Sequence, residues 1–93
     1  MINSLMVLQA LQELHMAAEI RQLGKYTVYS VLASREDVVI ATVTEKEDGT
    51  LLVQPVVGGV SRFMNPSYEE LVDQLKFSEE LYYEEEKEGY FGL

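Results

Sequence analysis

The chain of 93 residues has no cysteine, no tryptophan, one histidine, two prolines and only seven lysines and arginines. Without cysteine there is no disulfide framework, no thiol nucleophile and no thiolate metal site, a composition that suits a reducing compartment. A zinc site needs three or four ligands, and His15 is the sole imidazole. The basic residues Arg21, Lys25, Arg35, Lys46, Arg62, Lys76 and Lys87 stand singly, so no basic patch with aromatic stacking residues is expected. Long apolar runs are also lacking. Met1–Leu8 is apolar but has no basic n-region, and glutamines and a glutamate interrupt the run from Gln9 onward, which fits neither a secretory leader nor a spanning helix of ~18 apolar residues. A soluble, cytoplasmic protein is the expectation. The formal charge of −9 and pI of 4.4 disfavour direct binding to nucleic acid or to an anionic membrane.

What is present suffices for one small domain. The hydrophobic fraction is 47%, too high for wholesale disorder. Asn3 or Ser4 can cap a helix and Gly24 can end one, so a first helix is expected over Leu5–Leu23. Val7, Ala10, Leu11, Leu14, Ala17 and Ala18 would form its core stripe. Leu5, Leu8, Met16 and Ile20 fall outside that stripe, which calls for two covering neighbours or a self-association face. On the polar side, His15 would lie one turn from Glu19.

Three runs rich in β-branched and aromatic residues follow: Tyr26–Ala33, Val38–Thr44 and Thr50–Val57. Ser34–Asp37 and Glu45–Gly49 join them, with Asp48-Gly49 supplying a positive-φ residue. Connections this short predict an antiparallel meander. Pro55 cannot donate to a ladder, so the third strand should be an edge or be cut short. Val60–Met64 reads as a short strand or loop. Asn65-Pro66 then opens a second helix, with Pro at its first position or Ser67-x-x-Glu70 as a capping box. Phe77 and Leu81 fall off its apolar stripe of Tyr68, Leu71, Val72, Leu75 and Tyr82, so a break near Ser78 is expected. The predicted fold class is α+β, in the order α-β-β-β-α(-α), as one domain.

Charge is concentrated at the end of this order. Residues 66–93 carry nine acidic and two basic groups, a net of −7, against −2 for the rest. In residues 79–93 the acids alternate with Tyr82, Tyr83, Tyr90 and Phe91. Two readings follow. The aromatics pack on the domain's own core and the acids solvate the last helix; or the acids engage a basic groove on a protein partner while the aromatics anchor the contact. The second reading selects Glu79, Glu80, Tyr82, Tyr83, Glu84, Glu85, Glu86, Tyr90 and Phe91 as partner-binding residues.

Chemistry of other kinds finds little support. Gly58-Gly59-Val60-Ser61-Arg62 lacks the lysine and spacing of a phosphate loop and the strand-turn-helix serine elbow. Carboxylate pairs occur at Glu36/Asp37, Glu47/Asp48 and Glu69/Glu70 with Asp73, but paired carboxylates act only in a cleft that shifts their pKa values. The expectation is therefore a non-enzymatic protein with no cofactor and no metal.

A small, cysteine-free, strongly acidic chain with this element order and an acidic-aromatic end resembles phage-encoded inhibitors of the anti-CRISPR type, which occupy the DNA-binding cleft of a CRISPR effector nuclease. Uracil-glycosylase inhibitors are a broader analogue. The resemblance is one of architecture and charge, and acids are sparse before Tyr68. It implies an inhibitor that mimics DNA on a nucleic-acid enzyme. The alternative is a structural module that self-associates, as a homodimer, through the apolar first helix or an open sheet edge.

Overall fold

The computed structural model describes residues 2–56 and 63–87. Helix α1 spans Ile2–Leu14, strands β1 to β5 span Ala18–Leu23, Tyr26–Leu32, Val39–Glu45, Leu51–Pro55 and Phe63–Met64, and helix α2 spans Tyr68–Lys87. The strands form one antiparallel sheet in sequence order. The fold is α+β, as the composition of its runs requires. There are four strands of five to seven residues, with the two-residue β5 at one margin, where the sequence predicts three.

The added strand comes from the predicted first helix, which ends nine residues early. The Met16 N–H reaches the Leu11 carbonyl at 2.9 Å and the His15 N–H that of Gln12 at 3.2 Å. This is a Schellman stop, with His15 at φ +56° in the left-handed position that glycine usually takes. Met16 and Leu11, the pair such a stop brings together, are both buried in the core. His15 therefore ends α1, and Glu19 lies on β1 instead of one helical turn away. Gly24, expected to close the helix, is a hairpin residue: with φ +61° it holds the two-residue turn between the paired Leu23 and Tyr26. Glycine first in the turn matches the type that suits strand twist.

The second hairpin turns at Ser34–Asp37, and β3 carries a bulge where the register with β2 shifts. Across that bulge the side chains of Ile40 and Ala41 are both fully buried, and the Ile40 carbonyl accepts from Val56 N–H at 2.9 Å. Gly49 takes φ +90° in the third hairpin, as its sequence indicates. There the Thr50 N–H donates to the Asp48 carboxylate at 2.9 Å, holding the Asp48 pKa below its ordinary value. Pro55 ends β4 and so shortens it, the second of the two expected roles. Among the described residues, the margins of the sheet are β1 and β5. Of residues 57–62, which include Gly58, Gly59 and Ser61, none lies within the described set.

Both helices cover one sheet face. Val7, Ala10 and Leu11 of α1 and Leu71 and Leu75 of α2 meet Tyr29, Val31, Val43, Leu51 and Val53 in a single core. The opposite face, with Val28, Thr42, Thr44 and Leu52, stays partly exposed.

The capping box is the start that α2 adopts. The Glu70 N–H donates to Ser67 Oγ at 3.2 Å and the Ser67 N–H to Glu70 Oε1 at 2.8 Å, an exchange worth ~1 kcal/mol. Pro66 precedes the cap and is buried. The predicted break near Ser78 does not occur. Ser78 is 1% exposed, faces inward, and donates to the Gln74 carbonyl at 2.8 Å, so the helix continues to Lys87.

Tyr68 links the two helices, donating its hydroxyl to Glu13 Oε1 at 2.6 Å. That bond needs the phenolic proton, and it raises the Tyr68 pKa above 10.0. The folded state thus holds this proton more tightly than the unfolded state. The resulting stabilisation is present below pH ~10 and is lost as pH rises through the folded pKa. Urea unfolding between pH 8 and pH 11 should show a steeper fall for the native chain than for Tyr68→Phe. Parallel curves would deny the hydroxyl this role.

Candidate functional site: the outward face of α2

Helix α2 carries eight acidic and two basic residues, a net of −6. Its inward stripe is Leu71, Leu75 and Ser78, all buried, with Tyr82 partly so. Turning the helix 3.6 residues at a time places Glu69, Asp73, Lys76, Phe77, Glu80 and Glu84 together on the opposite side, and all six are exposed. From Glu69 to Glu84 this face runs roughly 22 Å at 1.5 Å per residue. Phe77 sits near its middle, 47% exposed.

Helix stability alone does not favour this arrangement. Glu69/Asp73 and Glu80/Glu84 are like charges one turn apart, each destabilising by a few tenths of a kcal/mol. Glu84, Glu85 and Glu86 lie near the C-terminal end, where the helix dipole disfavours anions. Lys76, one turn before Glu80, is the one basic residue among these six. A large apolar ring among carboxylates adds adhesion and no solubility.

The expected partner-binding residues divide into two groups. Glu80 and Glu84 belong to the outward face. Glu79, Tyr82 and Tyr83 instead clasp the β2–β3 turn. The Glu79 carboxylate accepts from Ser34 N–H, and the Tyr83 hydroxyl accepts from Arg35 N–H at 3.1 Å. The Arg35 guanidinium lies 4.2 Å from the Tyr83 ring centre, a cation–π contact. Tyr82 donates to Glu36 Oε2 at 2.6 Å, and its ring meets Tyr83 edge-on, centroids 5.2 Å apart. Tyr82 and Tyr83 pack against the core as the first of the two readings assigns to the aromatics, whereas Glu79, an acid that reading leaves to solvent, bonds the turn. Tyr90 and Phe91 lie outside the described residues, as do the side chains of Glu85 and Glu86.

Phe77, Glu69 and Asp73 were not selected from sequence. Their signal is phase: continued through Ser78, the helical repeat places them beside Glu80 and Glu84. An expected helix break at that point hides this register.

A hollow of about 350 Å³ lies beside the clasped turn, lined in part by His15, Arg35, Glu36 and Asp37. Arg35 and Glu36 there are already directed onto Tyr83 and Tyr82. Among the described residues, no three His, Asp or Glu side chains are grouped to hold a metal ion, and no helix is long and apolar enough to cross a membrane. Comparison with protein-family models, curated proteins and solved structures gives no match to this chain.

Proposed function

We propose that this is a non-enzymatic binding protein of the cytoplasm, an inhibitor or regulator that docks the outward face of α2 into a basic groove of a protein partner. The observation that carries the reading is Phe77, half exposed amid Glu69, Asp73, Glu80 and Glu84 on a helix whose last turns are acidic against its dipole. Carboxylates spaced along a rigid helix offer a basic groove the charge pattern it meets in a phosphate backbone. A nucleic-acid enzyme, such as a CRISPR effector, is the partner class that fits. The aromatic ring supplies the desolvated anchor such contacts depend on, and the carboxylates supply encounter rate and selectivity.

The test uses the full chain as bait against host lysate, beside two variants with unchanged circular dichroism, Phe77→Ala and Glu80→Gln/Glu84→Gln. A basic partner should be held by the native chain, released as salt rises, because exposed charges are screened beyond ~8 Å at physiological ionic strength, and displaced by DNA. Each variant should bind it about tenfold or more weakly, as expected at a hot spot. Capture unaffected by salt and by both variants would overturn the proposal.

A further inference from the structure

The two-residue turn at Gly24-Lys25 makes Leu23 and Tyr26 a hydrogen-bonded pair, and this fixes the phase of β1. Glu19, Arg21 and Leu23 direct their backbone groups at β2, opposite Ser30, Val28 and Tyr26. The Leu32 N–H, reaching the Ala17 carbonyl at 2.8 Å, continues the same phase. The N–H and C=O groups of Ala18, Ile20 and Gln22 therefore point away from the sheet along a margin that no other strand covers among the described residues. Five of the six β1 residues are exposed, and Ile20 is 56% exposed. The strand has no proline, bulge or lysine to blunt it as an edge, and its two charges, Glu19 and Arg21, are of opposite sign.

We infer that this margin is the interface for a second copy of the chain, joined by antiparallel β1–β1 pairing on a two-fold axis at Ile20. The sequence is self-complementary about that residue. With Ile20 opposite Ile20, Ala18 faces Gln22 and every outward N–H meets a carbonyl of the other copy. Glu19 then lies opposite Arg21 of the second copy, and Arg21 opposite its Glu19, giving two ion pairs on the open sheet face. A shift of the axis by one residue, to Arg21 or to Glu19, would still match the backbone groups but would set like charges opposite one another and remove both ion pairs. Charge favours this site over others on the molecule. The strand is neutral in a chain of net −9, so the copies meet where mutual repulsion is least, and the acidic face of α2 is not used. The pairing closes as a dimer, because the same edge serves both copies.

Sedimentation equilibrium across micromolar to millimolar concentration tests the pairing. The native chain should show a concentration-dependent dimer. Glu19→Arg alone and Arg21→Glu alone place like charges opposite one another and should each weaken association at least tenfold. The combined swap, Glu19→Arg with Arg21→Glu, should restore it to within about threefold. Ile20→Pro should abolish it and leave the fold intact, since the lost N–H faces outward and serves no bond to β2. A chain monomeric throughout the range overturns the inference. So does a dimer that ignores the β1 substitutions, or one abolished by Leu8→Glu alone, which assigns association to α1.

Discussion

Replacing Leu75 by alanine is expected to lower the unfolding free energy by about 2–5 kcal/mol, the range for truncating a fully buried leucine. Leu75 has no exposed surface and sits with Leu71 where α2 meets the sheet. In a domain of this size each kcal/mol shifts the thermal midpoint by about 4–8 °C, so a fall of roughly 10 °C or more should be seen. Phe77→Ala is the matched control. It removes a larger side chain two residues further along the same helix, yet from the outward face, and should change stability by no more than ~0.5 kcal/mol. Differential scanning calorimetry of both variants separates core from surface. An equal loss in the two would show that Phe77 is part of the core, and the proposed docking face would lose its anchor.

Asn65 is the second position where a single change should be severe. Its φ is +48°, a region where asparagine is tolerated far better than most side-chain-bearing residues. Its carboxamide oxygen accepts the Leu51 N–H at 2.9 Å, and its own N–H donates to the Leu51 carbonyl at 2.8 Å. Asn65→Ala leaves the Leu51 N–H without its acceptor and forces alanine into the left-handed region, at a combined cost of about 2–3 kcal/mol. Asn65→Gly relieves the backbone strain and not the lost bond, so denaturant midpoints should rank native, then glycine, then alanine. Equal stability of the glycine and alanine variants would leave conformation without a part in the effect.

Strands β2, β3 and β4 were legible because their β-branched and aromatic residues agree with what the fold does with them. Tyr29, Val31 and Val43 alternate inward as the pattern requires. The start of α2 was legible for a similar reason, since Ser67 and Glu70 have the spacing of a reciprocal cap. Strand β1 was not. Ala18-Glu19-Ile20-Arg21-Gln22-Leu23 is composed mostly of good helix formers, and only the burial of Met16 beside Leu11 and the pairing through Gly24 turn it into a strand. Local preference of a few tenths of a kcal/mol per residue yields to tertiary contacts of that kind. The site shows the same division. Its acidity is plain in the composition, whereas the identity of its outward members depends on whether α2 runs through Ser78. Because Ser78 faces inward and is small, Phe77 marks a second face of one helix, and the offset that suggests a break has another cause.

The strands pair in sequence order while their cover comes from the two helices that flank them, and this has a consequence for how the protein emerges during synthesis. Each hairpin can form as soon as its own residues are available, but the face formed by Tyr29, Val43 and Val53 has no lid over α2's share of it until that helix has been made. At about 5–20 residues per second, the 20 residues of α2 take roughly 1–4 s to add. Until α2 docks, the meander lacks the cover which that helix supplies, and the outer edge of β1 is open at the same time. The chain is then most exposed to premature association. The acidic helix that ends the exposure brings most of the chain's negative charge with it, so closure of the core and electrostatic protection arrive in the same step.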